Sequence, residues 1–208
     1  MNTDKMEIRA FNFEVRAVND EERGNYLEGT PIVYDSWTDL GWYDEMIDRG
    51  ALNGADLRDV RFLVNHNTDM IPLARSRNNN ANSTMQLMVD PEIGMNIRVN
   101  LDTENNFDAR ALYSAVERGD ISGMSFMFRV DSDKWEDIES EHPRRHILAI
   151  SQVMEVSAVT FPAYEATSIQ ARGLADALDS AKASLDSVKE EKRRVEMQKK
   201  KIKILSEV

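Results

Sequence analysis

The last 35 residues constrain the fold most. After Gly173 the chain contains no further glycine, no proline and no aromatic residue. Its apolar side chains Leu174, Leu178, Ala181, Leu185, Val188, Val195 and Ile202 recur at spacings of 4, 3, 4, 3, 7 and 7. Alternating steps of four and three keep apolar groups on one stripe of a helix, and steps of seven prolong that stripe. Lys192 and Lys199 occupy two intervening stripe positions and weaken it toward the end. Residues 173–208 are therefore expected to form an amphipathic or coiled-coil helix, an extension to a body of residues 1–172. The extension carries 9 Lys/Arg against 7 Asp/Glu, so the body carries −13, more than the chain's whole net charge of −11.

The body reads as short strands with few helices. Residues 8–17 alternate imperfectly, with Ile8, Ala10, Phe13 and Val15 between polar neighbours. Residues 27–34 form a second strand candidate, in which Pro31 argues for an edge or a bulge. Residues 44–51 could hold a turn of helix, and residues 60–64 are an apolar run of strand length. Residues 85–89 and 95–101 flank a turn containing Pro91 and Gly94, the pattern of a hairpin. One helix is expected at 107–118, with Asn106 as its cap, Gly119 after it, and Ala109, Leu112, Ala115 and Val116 on its apolar side. Residues 121–130 and 146–161 are strand candidates joined by a charged stretch, 131–145, expected as an exposed loop. The prediction is a mostly β fold with flanking helices (α+β), a small barrel or curled sheet.

Composition excludes several chemistries. With no cysteine there is no disulfide, thiol nucleophile or cysteine-ligated metal. The N-terminus has no basic-then-apolar secretory signal, and no apolar run reaches the roughly 18 residues of a membrane helix. An acidic body disfavours phosphate backbones. No nucleic acid, membrane, metal or cofactor is therefore expected as a partner. Only His66, His142 and His146 can supply an imidazole. His142 and His146 stand four apart, but Pro143 between them argues against the helix that would aim both at one metal ion.

Three residues stand out together. His66 ends an apolar run, where the chain leaves the core. Ser125 lies in GDISGMSFMF (119–128), where a helix hands over to a strand and strand alternation sets it opposite Met124, Phe126 and Phe128. A small hydroxyl among large apolar groups is costly to bury without a partner. The spacing is not that of a nucleophile elbow, because Met127 stands where the second glycine would be. Glu155 shares a strand face with Val153, Ser157 and Val159. Its ordinary reading is an outward charge on an edge strand; the alternative is a carboxylate that orients an imidazole. A serine hydroxyl needs a base to take its proton, and the base needs a third group to fix its tautomer. Ser125, His66 and Glu155 could fill those roles.

Five blocks in order resemble one family. They are GTPIVY (29–34) with Ser36, EMIDRGAL (45–52), VRFLVNH (60–66) with PLAR (72–75), GDISGMSFMF (119–128) and EVSAVTFPAY (155–164). Together they resemble the HK97-type prohead maturation proteases of tailed bacteriophages, with Leu52 where an aromatic is usual and Ala74 where glycine is common. The resemblance implies an assemblin-like serine endopeptidase, a small β-barrel wrapped by helices and often dimeric. It implies Ser125 as nucleophile, His66 as general base and Glu155 as third member, with His146 as rival for the third place. The implied substrates are scaffold or delta-domain segments of the major capsid protein, and the enzyme itself. The implied site of action is the immature capsid in the host cytoplasm. Relatives of this kind shed terminal segments, so the 173–208 helix is expected to recruit the enzyme and then be cut away. The competing reading is a catalytically idle assembly or scaffolding protein that uses the C-terminal helix. A carbohydrate- or peptide-binding β module would explain the acidity but not the ordered blocks.

Overall fold

The computed structural model describes residues 6–11, 15–21, 24–160 and 170–206. Residues 161–164 of the last block, Phe13 of the first strand candidate and the side chain of Leu174 lie outside the description.

Two sheets share one core. The larger contains β1 (Met6–Phe11), β10 (Gly123–Glu136), β11 (Arg144–Val159), β5 (Asp44–Ile47) and β4 (Thr38–Asp39) in that order, with β6 (Asp59–Val64) beside β11 and β7 (Ala74–Arg77) beside β6. The smaller runs β2 (Val15–Asp20), β3 (Gly24–Val33), β9 (Gly94–Asn100), β8 (Met85–Asp90). Leu27, Ile32, Met95, Ile97 and Val99 of the smaller sheet meet Phe62, Phe126, Phe128, Val153 and Val156 of the larger in a single apolar cluster. These are open sheets and not the closed barrel expected from the sequence. Helix α1 (Phe107–Glu117) lies against β2 and β3. The Asn106 side chain caps it by accepting from the N–H groups of Asp108 and Ala109, and Ala109, Leu112, Tyr113 and Val116 face the core.

Several sequence expectations change. The single alternating run at 8–17 is two strands in two different sheets, β1 and β2. The expected helical turn at 44–51 begins as strand β5. Of the charged stretch 131–145, residues 137–143 are the expected hairpin loop, but 131–136 and 144–145 are strand, and Trp135 and Arg145 are buried. Pro31 sits where the β3–β9 register shifts between Gly29 and Ile32, which is the bulge a proline requires inside a sheet.

The β10–β11 hairpin positions the site. β11 is 16 residues long, and its second edge is divided. β5 pairs with residues 144–147 and β6 with residues 155–158, both in parallel. Four register shifts between Met127 and Asp133 bend the hairpin, so its two ends face different surroundings. Gly94 closes the second sheet. Its φ is +132°, and a Cβ there would stand 2.1 Å from the Ile32 carbonyl oxygen. Gly94→Ala is expected to cost about 1–3 kcal/mol, measured by urea unfolding; a change under a few tenths would refute the close approach.

The C-terminal helix α2 (Gln170–Ser206) is 37 residues long. Its first half is docked on the body. Ala181 and Leu185 are buried with Tyr43 and Trp135, and Trp135 Nε1 donates to Ser184 Oγ at 3.1 Å. Further along, Val188, Val195 and Ile202 of the apolar stripe are exposed, Ile202 by 67%. Among the described residues no helix is long and apolar enough to cross a membrane.

Candidate active site

His66 stands at the end of β6, where the chain turns through two consecutive left-handed residues, Asn65 (φ 52°) and His66 (φ 55°). Asparagine tolerates this region, and a histidine held there is an uncommon, costly conformation. Neighbouring β11 supplies the restraint. Asn65 N–H donates to the Ala158 carbonyl at 2.9 Å. Its side chain donates to Thr160 Oγ1 at 3.0 Å and accepts from Thr160 N–H at 2.9 Å. The turn therefore points the imidazole back over the sheet.

The sheet brings the other two residues beneath it. Ser125 on β10 is the cross-strand partner of Ser157 on β11, and Glu155 lies two residues from Ser157 on the same face. The parallel pairing of β6 with β11 sets Arg61 beside Glu155 and Val64 beside Ala158, so the end of β6 falls over this face. His66 Nε2 is 2.6 Å from Ser125 Oγ. His66 Nδ1 bonds Glu155 Oε1 on its other side. The side chains of His66 and Glu155 are only 8% and 4% exposed. With Nδ1–H donating to the carboxylate, Nε2 is left as acceptor toward the serine hydroxyl, the tautomer a general base needs.

Sequence reasoning alone gives Ser157 no role, but its hydroxyl makes two bonds within the site. Its hydroxyl donates to Glu155 Oε2 at 2.7 Å and accepts from His66 N–H at 3.1 Å. It ties the carboxylate to the backbone of the histidine that the carboxylate orients. Its only sequence signal is its position two residues from Glu155 on a strand. Ser157→Ala should lower kcat by about 10–100-fold with KM nearly unchanged, and Ser157→Thr should recover part of the loss. Steady-state kinetics on a capsid-derived peptide would decide; a KM effect alone would mean that Ser157 contacts substrate instead.

The other histidines lie elsewhere. His142 Nε2 is 3.0 Å from Asp44 Oδ1, and His146 Nδ1 is 2.8 Å from Asp48 Oδ1. The two do not share a ligand cluster, and His146 does not reach His66. Among the described residues, Asp39, Asp44 and His142 form a largely exposed trio of possible metal ligands, with Asp44 partly buried and nothing further to mark it as a site. Beside Glu155 is a cavity of about 330 Å³ whose walls include Leu63, Met70, Met127 and Met154, with Arg61 at its side.

On the opposite face of the same sheet is a buried ionic cluster that sequence reasoning missed. Arg9 and Arg145 face Glu7 and Glu45, and all four are nearly inaccessible. Arg9 Nη2 donates to Glu7 Oε2 at 2.6 Å and Glu45 Oε2 at 2.7 Å, and Arg9 Nε donates to Glu45 Oε1. Arg145 Nη1 donates to Glu7 Oε2 at 2.8 Å and Glu45 Oε2 at 3.0 Å, and its Nε donates to Asp133 Oδ2 at 2.7 Å. From α2, Ser180 donates to Glu7 Oε1 at 3.1 Å and Ser184 to Asp133 Oδ2 at 2.9 Å. Burial alone would raise the Glu7 pKa, but Arg9 and Arg145 more than offset this and hold it below the ordinary glutamate range.

A hydroxyl, an imidazole and a carboxylate joined in this order, on a rigid sheet, are the arrangement of a serine peptidase. The family model for caudovirus prohead serine proteases matches residues 11–180. The chain belongs to that family. It is also 26% identical over 170 residues to the prohead protease of Enterobacteria phage HK97, covering 80% of this chain and 68% of that protein. No solved structure matches.

Proposed function

We propose that this prohead serine peptidase uses Ser125 as nucleophile, His66 as general base and acid, and Glu155 to orient and steady the imidazole. The observation that carries the reading is His66 bridging Ser125 and Glu155, one through each ring nitrogen. Ser125 Oγ attacks a peptide carbonyl carbon as His66 Nε2 takes its proton. Glu155 stabilises the resulting imidazolium through Nδ1–H. The imidazolium then gives the proton to the leaving amine, and water, activated by the same imidazole, releases the acyl group. The substrates are scaffold or delta-domain segments of the phage major capsid protein, and the enzyme's own terminal segments, cut inside the immature capsid in the host cytoplasm. The apolar cavity beside Glu155 suits an apolar substrate side chain near the cleaved bond.

The C-terminal helix serves recruitment. Its exposed stripe of Val188, Val195 and Ile202 is suited to a helical scaffold segment or to a second copy of itself. Co-expression with the cognate capsid protein, wild type against Ser125→Ala, tests the function by mass spectrometry of the fragments. Capsid protein cut only by the wild type is the expected result. Identical fragments from both would leave the chain as an assembly protein, and identical C-termini on both enzymes would remove the self-trimming of the helix.

A further inference from the structure

The proposed nucleophile is covered by the chain's own N-terminal strand. Ser125 is 0% exposed. β1 is the outermost strand of its sheet and pairs antiparallel with β10 from Met6 opposite Arg129 to Phe11 opposite Met124, with Ala10 opposite Ser125. Ser125 Oγ lies 2.7 Å from the Arg9 carbonyl oxygen as well as 2.6 Å from His66 Nε2. A hydroxyl has one proton, and both neighbours accept. The carbonyl of Arg9 therefore competes with the base for the hydrogen that the base must remove. The orientation is also unproductive. Attack requires Oγ to face a carbonyl carbon, with the carbonyl oxygen turned toward N–H donors, whereas here the oxygen itself faces Oγ.

From these observations the geometry points to β1 as a removable cover, occupying the edge of β10 on which an extended peptide substrate docks. The inference rests on the peptidase reading of Ser125 and adds to it the class of ligand and its mode of binding: an extended peptide, paired antiparallel with residues 123–129. Strand addition at a sheet edge supplies affinity through main-chain bonds, and alternate side chains supply selectivity. A substrate bound in this way would place every second side chain on the face that carries Ser125, Met127 and the apolar cavity. One observation favours a cover over a permanent edge strand: the family match begins at residue 11, so residues 6–10 of β1 lie outside the matched residues. The strand is held in place from its far side by side chains that are not part of the site, so the means of releasing it lie outside the site too. Glu7 and Arg9 hold it to Glu45 and Arg145, and Ser180 of α2 completes the fastening. Any event that draws α2 away removes one of those bonds, which links the C-terminal helix to exposure of Ser125.

Because the chain has no cysteine, a single engineered pair can lock the strand in the full-length protein. Met6 and Arg129 are cross-strand partners, and facing residues of neighbouring strands lie within the Cα separation a disulfide spans. Met6→Cys with Arg129→Cys is placed away from the triad and from the ionic cluster. The readout is phosphonylation of Ser125 by a fluorophosphonate probe, followed by intact mass and fragment assignment. The oxidised protein is expected to label slowly, and reduction should raise the rate about tenfold or more, toward that of the wild type. Equal rates before and after reduction would overturn the cover while leaving Ser125 as an activated serine. No labelling in the locked, reduced or Arg145→Met protein, the last of which loosens the fastening of β1, would overturn the catalytic reading and the cover with it.

Discussion

Ser125→Ala should lower kcat/KM for a capsid-derived peptide on the order of 10⁶-fold while leaving stability nearly unchanged. The size of the loss follows from the geometry. Among the described residues, the one hydroxyl bonded to His66 Nε2 is that of Ser125, at 2.6 Å. His66→Ala should fall to a similar level, and the double variant should be no slower than either single one, because two groups acting in one proton transfer cannot be lost twice. Glu155→Gln should lose less, about 10⁴-fold, since an amide can keep the ring in place but disfavours the tautomer with hydrogen on Nδ1. Residual peptidase activity in Ser125→Ala within tenfold of the wild type, after contaminating host proteases have been excluded by inhibitor controls, would refute the assignment. Additive losses in the double variant would mean that the two residues act separately.

The elements of the site could be read locally, but their meeting could not. Strand alternation placed Glu155 and Ser157 on one face, and the end of the apolar run placed His66 at a strand terminus. Their approach depends on β6 lying parallel to β11, a pairing across about 95 residues that no local pattern encodes. The consecutive left-handed turn at Asn65 and His66 carries only a weak signal, the tolerance of asparagine for positive φ. Alternation misled at residues 8–17, because a period of two is the same in either sheet. It cannot show that the chain leaves one sheet between Phe11 and Val15. Charge misled at 131–145. The whole stretch reads as an exposed loop because isolated charges are almost never buried, whereas Arg145 within it is buried. Asp133 pairs with Arg145 only 12 residues away, but the other partners of Arg145, Glu45 and Glu7, lie 100 and 138 residues from it, so most of the compensation is invisible in sequence. The closed barrel failed for a related reason: strand count and alternation do not fix whether the last edges meet.

The buried cluster should be the most sensitive point for stability. Arg145→Met is expected to cost about 3–5 kcal/mol at pH 7, because it leaves Glu7 and Glu45 with one cation between them in a site closed to water. An exposed ion pair such as Arg58 with Asp56 is worth far less. The effect must also depend on pH, with a definite sign. The folded-state pKa of Glu7 lies below its unfolded value. Its contribution is therefore fully present above the unfolded pKa of about 4.3, and is lost as pH falls through the folded value. In Arg145→Met one of the two cations that lower that pKa is gone, so the variant has less of this contribution to lose. The stability gap between wild type and variant should consequently narrow as the pH is lowered from 7 to below about 4. Urea unfolding across that range measures it directly. A gap that stays constant, or a cost under about 1 kcal/mol at pH 7, would mean that the cluster is not acting as paired charges. Because Glu7 and Arg9 belong to β1, the same substitution loosens the strand over Ser125. At pH 7 the variant should therefore label faster at Ser125 even as it becomes less stable, a combination that general unfolding does not produce, since an unfolded serine is not activated.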